Sequence, residues 1–205
     1  MLADDHAAIR AGVKTLLENI YENAIVDEIT DGKGVMEKLK KNSYDLVILD
    51  IQMPDTDTPA LIKYITDNYP SIPVLVFSMS SEQVYALRVL KAGAKGFISK
   101  DYSLDELKKA IELVLNKKKY VSPAVIQLLA DQSLFSSKEN PFSKLSSREF
   151  QIANLLLEGK TISEIAAILS IQLSTASTHK ARVFNKLNVS NLLELKEASI
   201  FYKLS

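Results

Sequence analysis

The chain has 205 residues, 47% of them hydrophobic, enough apolar material for one large or two small cores. Twenty-five basic residues balance 25 acidic ones, so the whole molecule is not an electrostatic glove for nucleic acid, and any DNA-binding surface must be local. The lack of cysteine excludes disulfides, thiolate metal sites and a cysteine nucleophile, and suits a reducing compartment. The start, MLADDHAAIR, is acidic early and has no apolar run of the signal-peptide kind, and no stretch approaches the ~18 apolar residues of a membrane span. A cytoplasmic protein with no membrane partner is expected.

Only residues 1–3 precede the first acids, so the first strand is either trimmed at its start or a stub. Ile9, Val13, Leu16, Leu17 and Ile20 recur at helical spacing, and 24–29 reads as a short strand. A helix is expected over 35–41, then a strand over 45–50 with no alternation, as when both faces are covered. Leu61, Ile62 and Ile65 mark another helix, and 72–77, IPVLVF, a second fully apolar strand. Residues 84–91 are helical and stop at Gly93, 96–99 form a short strand, and 103–115 a helix whose capping box joins Ser103 to Glu106. Strands alternating with helices predict an α/β fold, a doubly wound parallel sheet covered on both faces.

Residues 117–144 change character: a lysine run, a short helix within 122–130, and a Ser-, Lys-, Asn- and Pro-rich linker over 133–144. Residues 145–205 have no strand pattern, and four helix starts are expected there, at Ser146 with Glu149, Thr161 with Glu164, Ser174, and Asn191 with Glu194. Gly159 sits where the first of these helices should stop. The chain thus divides into 1–116, a linker with a short helix over 117–144, and a small all-α domain over 145–205.

The apolar strand in YDLVILDIQMP ends on Asp50. In open parallel sheets functional groups gather at the carboxyl ends of the strands. Asp4, Asp5, Asp50, Ser78 and Lys100 all fall at such ends and converge if those strands are neighbours. Crowded carboxylates repel, and Mg²⁺ resolves the repulsion because it prefers oxygen ligands. A carboxylate beside Mg²⁺, a lysine and a hydroxyl can attack phosphorus and become an aspartyl phosphate, whose new oxygens would meet Mg²⁺, Lys100 and Ser78.

LADDH, LDIQMP, FSMS and KGFISK, in this order and spacing, resemble the receiver domain of two-component response regulators. The resemblance implies a five-stranded flavodoxin-like sheet with Asp50 as phosphoacceptor. It implies a Mg²⁺ site of Asp4, Asp5, Asp50 and the main-chain carbonyl of Gln52. Ser78 and Phe97 match its hydroxyl and aromatic switch positions, and Lys100 its lysine. The family usually has glycine eight residues after the phosphoacceptor; here Thr58 stands there. His6, alone beside the acids, reads as a structural residue. DTDT at 55–58 resembles the D-x-D-x-T motif of haloacid-dehalogenase-like phosphatases, but that motif follows its strand directly, and here Met53 and Pro54 intervene.

Residues 145–205 carry seven basic and five acidic residues. The excess is concentrated in STASTHKARVFNKLN, 174–188, which has Lys180, Arg182 and Lys186 and no acid. Ala176, Val183 and Leu187 form one apolar stripe, while Ser177, Thr178 and Ala181 form a small polar stripe suited to the major groove. Basic flanks hold phosphates. The short apolar helix before it, joined through SIQLS, makes a helix-turn-helix. The run from Leu145 to Val189 is similar to the LuxR-type helix-turn-helix, the output domain of the NarL/FixJ class. That resemblance implies that Ser177, Thr178 and Ala181 face the bases, with Lys180, Arg182 and Lys186 near phosphates and Thr175 also among the DNA-binding residues. His179 reads as a packed helix residue, and Glu149 as a cap that also pairs with a basic side chain.

Together these features imply a regulator rather than an enzyme. The two resemblances imply that a histidine kinase would phosphorylate Asp50, that the phosphoryl group would draw Ser78 inward and repack Phe97, and that the protein would dimerise on double-stranded promoter DNA. The alternatives are a constitutive DNA-binding dimer with a silent receiver, for which Thr58, Phe97 and the short first strand speak, and an aspartyl-phosphate phosphohydrolase, against which the C-terminal helices speak.

Overall fold

The computed structural model describes residues 1–80, 82–127, 130 and 140–202. The chain forms two compact units, residues 1–131 and 132–205.

The first unit runs β1 (Leu2–Ala3), α1 (Ala7–Ile20), β2 (Glu28–Ile29), α2 (Gly32–Leu39), β3 (Val47–Leu49), α3 (Thr58–Asn68), β4 (Val74–Ser78), α4 (Glu82–Ala92), β5 (Gly96–Ser99) and α5 (Leu104–Leu115). The five strands are all parallel in the order β2-β1-β3-β4-β5. β1 is a stub of two residues, yet it lies inside the sheet, hydrogen-bonded to β2 on one side and β3 on the other. The strand order reverses between β1 and β3, where doubly wound sheets open a crevice at their carboxyl ends.

Alternation along the strands sends Leu2, Ile48, Leu75, Phe77 and Ile98 to one face, where they pack with Val13 of α1 and with Leu107, Ile111 and Val114 of α5. Val47, Leu49, Val76 and Phe97 point the other way and are equally buried. Both faces are covered, which explains the unbroken apolar runs of β3 and β4. Gly93 ends α4 with φ +115°, a conformation that favours a residue without a Cβ, and its Cα faces Thr66 closely.

Two elements differ from the sequence reading. The helix expected from 35 begins at Gly32, because the Asp31 side chain caps it by accepting from Gly34 N. The strand expected over 24–29 is regular only at Glu28–Ile29, since it pairs only as far as β1 extends. Residues beyond α5 continue the first unit: Tyr120 is buried, bridges to Gly96 and donates its backbone N–H to Lys95 O. Residues 123–127 are helical, and the expected linker over 133–139 lies outside the described residues.

The second unit begins with a 3₁₀ turn (Pro141–Lys144), followed by α6 (Ser147–Leu157), α7 (Ile162–Ile168), α8 (Leu173–Leu187) and α9 (Leu192–Phe201). Capping boxes start α6 at Ser146 with Glu149 and α7 at Thr161 with Glu164, and Asn191 caps α9. Ser174 is not a cap. α8 starts two residues earlier than a Ser174 cap would set it, with Gln172 at its N-cap and no side-chain hydrogen bond, and the Ser174 carbonyl accepts from Thr178 Oγ1 inside the helix. Gly159, at φ +83°, ends the turn after α6. The core joins Phe150, Ile152 and Leu156 of α6 with Ile165, Ala176, Val183, Leu187 and Leu195. Among the described residues, no helix is long and apolar enough to cross a membrane.

Candidate functional site

The register of β1 against β3 builds the acid cluster. Ala3 pairs with Leu49, so the next residues, Asp4 and Asp50, emerge side by side at the sheet rim. The Asp50 backbone N–H donates to Ala3 O at 2.8 Å, and the Asp4 N–H to Ile29 O at 3.0 Å. Hydrogen-bonded strands thus hold both carboxylates, and both residues are buried, at 1% and 3% exposure.

Each oxygen of Asp50 is engaged. Oδ1 accepts from Ser78 Oγ at 2.5 Å and from Ile51 N at 2.6 Å. Oδ2 accepts from Lys100 Nζ at 2.6 Å. The Lys100 ammonium also lies 2.5 Å from Asp4 Oδ2, a contact that is an ion pair rather than a directional hydrogen bond. Lys100 follows β5, and its backbone N–H donates to Ser78 O at 3.0 Å, which fixes it beside the end of β4. Four strand ends therefore supply Asp4, Asp50, Ser78 and Lys100 to one buried spot. Asp5 sits at its rim and is partly exposed.

The donor set suits a hard divalent cation. Asp4, Asp5 and Asp50 carry three negative charges against one on Lys100, a deficit of two that a doubly charged cation balances. One ligand atom each from Asp4, Asp5, His6 and Asp50 lies within 4.8 Å of the others.

Ser78 and Phe97 already stand inward. The Ser78 hydroxyl is on Asp50, and Phe97 is 1% exposed. Gln52 lies two residues past Asp50, and its backbone N–H points back to Oδ1 at 3.3 Å.

Sequence reading missed two features. Thr58, read as a departure from glycine that spoke for a silent receiver, is buried, and its hydroxyl donates to Ile51 O at 3.0 Å and reaches Asp50 O at 3.4 Å. It tethers the loop carrying Asp50, and a hydroxyl eight residues after an acid was the only available signal. His6, read as structural, makes contacts that the sequence did not show: its Nδ1 lies 2.7 Å from Asp5 Oδ1 and 3.2 Å from Asp4 Oδ1.

In the second unit, α8 buries Ala176, Val183 and Leu187 and leaves Thr175, Ser177, Thr178, Ala181 and Arg182 exposed. Lys180 is half-buried, its ammonium 5.3 Å from the centre of the Phe184 ring, where a cation–π contact steadies it. Lys186, expected near phosphates, makes a contact within the unit while its side chain stays 42% exposed. Its Nζ binds Glu149 Oε2 at 2.7 Å, and Glu149 is buried and also accepts from Ser146 N at 2.7 Å. Burial pushes the Glu149 carboxyl up, but the hydrogen bonds from Lys186 and Ser146 outweigh it and hold the pKa below the ordinary range. Lys186 is therefore first a tie between α8 and the start of α6. His179 is half-buried, and burial, followed by Arg182, holds its pKa below the ordinary value, against the pull of Glu149.

Comparison with known proteins agrees with this geometry. Residues 1–112 match the family described as the response regulator receiver domain, and 143–197 that described as bacterial regulatory proteins, luxR family. The whole chain is 29% identical to the response regulator UvrY of Escherichia coli (strain K12), covering 94% of it. It is 30% identical to the response regulator GacA of Pseudomonas protegens, over 95% of this chain and 92% of that one. Among solved structures, RcsB of Salmonella enterica serovar Typhimurium, bound to the promoter rprA with the phosphomimetic BeF₃⁻, is similar with a TM-score of 0.61 and 29% identity, over 96% of this chain and 95% of that one.

Proposed function

Because the chain belongs to the response regulators, phosphorylation-controlled transcription regulators rather than enzymes, we propose that Asp50 is its phosphoacceptor and Leu173–Leu187 its DNA-reading helix. The observation that carries the reading is the buried Asp50 carboxylate held between Ser78 Oγ and Lys100 Nζ. By this reading the first unit is the receiver, extended past the expected bound at 116 by Tyr120 packed on β5, and the second unit is the DNA-binding domain, which takes in the buried Phe142 ahead of the expected start at 145.

A histidine kinase is the phosphodonor. An Asp50 carboxylate oxygen attacks the phosphorus of a phosphohistidine, the O–P bond forms, the P–N bond breaks, and the leaving imidazole takes up a proton. Lys100 and Ser78 stand where they can bind the new phosphoryl oxygens, one by charge and one by its hydroxyl. Asp4, Asp5, Asp50 and the Gln52 carbonyl would hold Mg²⁺. When bound, the ion supplies positive charge to the phosphoryl oxygens.

The phosphoryl group gives Ser78 and Lys100 stronger partners and so stabilises the inward arrangement of Ser78 and Phe97 over its alternatives. The biased receiver favours a homodimer. Two copies of α8 then read paired half-sites of double-stranded DNA, and the doubled contacts raise avidity. Thr175, Ser177, Thr178 and Ala181 approach base edges, while Lys180 and Arg182 hold phosphates. The protein works in the cytoplasm. The features that favoured a silent receiver lose their force here: Thr58 fits its loop, β1 seats both acids, and Phe97 is held by packing.

Sedimentation velocity with and without BeF₃⁻ and Mg²⁺ tests the switch. The reading expects a shift from monomer to dimer that Asp50→Asn abolishes. A dimer already complete without the phosphomimetic would favour the constitutive alternative.

A further inference from the structure

We propose that His6 is a nitrogen ligand of the divalent cation at the acid cluster, and that through it the site gains affinity for transition-series ions that it does not gain for Mg²⁺. The inference rests on the cation site proposed above and extends it to a residue outside the expected ligand set.

The geometry places the ring where a ligand would stand. His6 Nδ1 is 2.7 Å from Asp5 Oδ1 and 3.2 Å from Asp4 Oδ1. Adjacent ligands of an octahedral ion bound at ~2.1 Å are about 3 Å apart, so both separations fit neighbours in one coordination shell. The 4.8 Å that encloses one atom from each of Asp4, Asp5, His6 and Asp50 suits ligands across an ion as well as beside it.

The residue is held at the rim by its backbone. Its N–H donates to Asp4 Oδ1 at 2.9 Å, and it is the N-cap of α1 without making a side-chain cap. The imidazole is thus free of helix-capping duty. Its side chain is 63% exposed, so the ring can turn toward an ion without disturbing the core. Arg10, the nearest cation on α1, is directed elsewhere, to the Asp4 carbonyl and to Glu28.

Chemistry then sets the preference. Mg²⁺ takes oxygen ligands and keeps several waters, so an imidazole adds little to its binding. Ni²⁺ and its neighbours bind imidazole well, and for them a histidine among carboxylates is a strong addition. His6 should therefore affect the two kinds of ion unequally, whereas a histidine that merely pairs with Asp5 would affect them alike.

The test is calorimetric titration of the full chain with Mg²⁺ and with Ni²⁺ at constant pH, for the parent protein, His6→Ala and Asp5→Asn. His6→Ala should lose tenfold or more in Ni²⁺ affinity and change Mg²⁺ affinity by less than twofold. Asp5→Asn should weaken both. In the Mn²⁺-loaded protein, pulsed electron paramagnetic resonance should show coupling to a directly bound imidazole nitrogen that disappears in His6→Ala. Equal effects on both ions, or no nitrogen coupling, would overturn the role of His6 while leaving the carboxylate site standing. Indifference of both ions to Asp5→Asn would overturn the cation site itself.

Discussion

The hydroxyl of Ser78 donates to Asp50 Oδ1 across 2.5 Å, joining the carboxyl ends of β4 and β3. Both residues are buried, so the bond is shielded from water and acts on a charged acceptor. Such bonds contribute about 1.5–3 kcal/mol. As phosphoryl transfer proceeds the hydroxyl passes to an incoming phosphoryl oxygen, a bond made in the transition state and not before it, so Ser78→Ala slows phosphoryl uptake by about 10- to 100-fold. Stopped-flow or quenched mass measurements with a small phosphodonor check the rate. An unchanged rate would remove Ser78 from the reaction.

Lys100 bridges Asp4 and Asp50 at 2% side-chain exposure. Replacing it with methionine leaves two buried carboxylates without their cation. Breaking a buried pair in this way costs about 3–5 kcal/mol. Urea unfolding of Lys100→Met should show that loss, and added Mg²⁺ should restore part of it by supplying charge to the same carboxylates. A variant as stable as the parent would contradict the ion-pair geometry.

Thr58→Val tests the tether. Valine keeps the shape but removes the donor to Ile51 O. The expected cost is about 1 kcal/mol. The loop that carries Asp50 should also exchange its amide hydrogens faster, which hydrogen-exchange mass spectrometry reads. Unaltered exchange there would show that the hydroxyl holds nothing.

Two lysines on α8 should behave differently. Lys180→Ala should weaken DNA binding across sequences and reduce the slope of log affinity against log salt by about one. Lys186→Ala should mainly destabilise the second unit, because Glu149 loses the ammonium at 2.7 Å. Fluorescence anisotropy over a salt series, paired with thermal unfolding, separates the two effects. A larger change in salt slope for Lys186→Ala than for Lys180→Ala would reverse the assignment.

Acid should weaken the second unit in two windows. The folded pKa of His179 lies below its ordinary value of 6.5, so the unfolded chain takes up the proton more readily. Its contribution is complete above 6.5 and is lost as pH falls below that. The folded pKa of Glu149 lies below 4.5, so its contribution is present above 4.5 and is lost as pH falls through the folded value. Calorimetric unfolding of His179→Gln should lack the first loss, and that of Glu149→Gln the second. Equal pH profiles for variants and parent would exclude both groups.

Much of this was legible in the residues. The apolar runs at 46–49 and 72–77 mark strands covered on both faces, and the polar residues that follow them, Asp50 and Ser78, fall at the sheet rim. The S-x-x-E spacing at Ser146 and the T-x-x-E spacing at Thr161 located α6 and α7 because a capping box needs only local chemistry. Ser174 misled for the same reason: it has a capping side chain, but α8 starts earlier, packed through Ala176. The Glu149–Lys186 pair spans 37 residues, so its particular partner was not written in local spacing. The contacts of His6 to Asp5 and of Thr58 to Ile51 were not legible because they depend on how loops turn at the rim, which has no period to read.

The central claim is that Asp50 accepts a phosphoryl group. Intact mass after incubation with acetyl phosphate and Mg²⁺, beside an Asp50→Asn control, tests it most directly. The account predicts the gain of one phosphoryl group on the parent protein and none on the variant. An unmodified parent, or equal modification of Asp50→Asn, would contradict it.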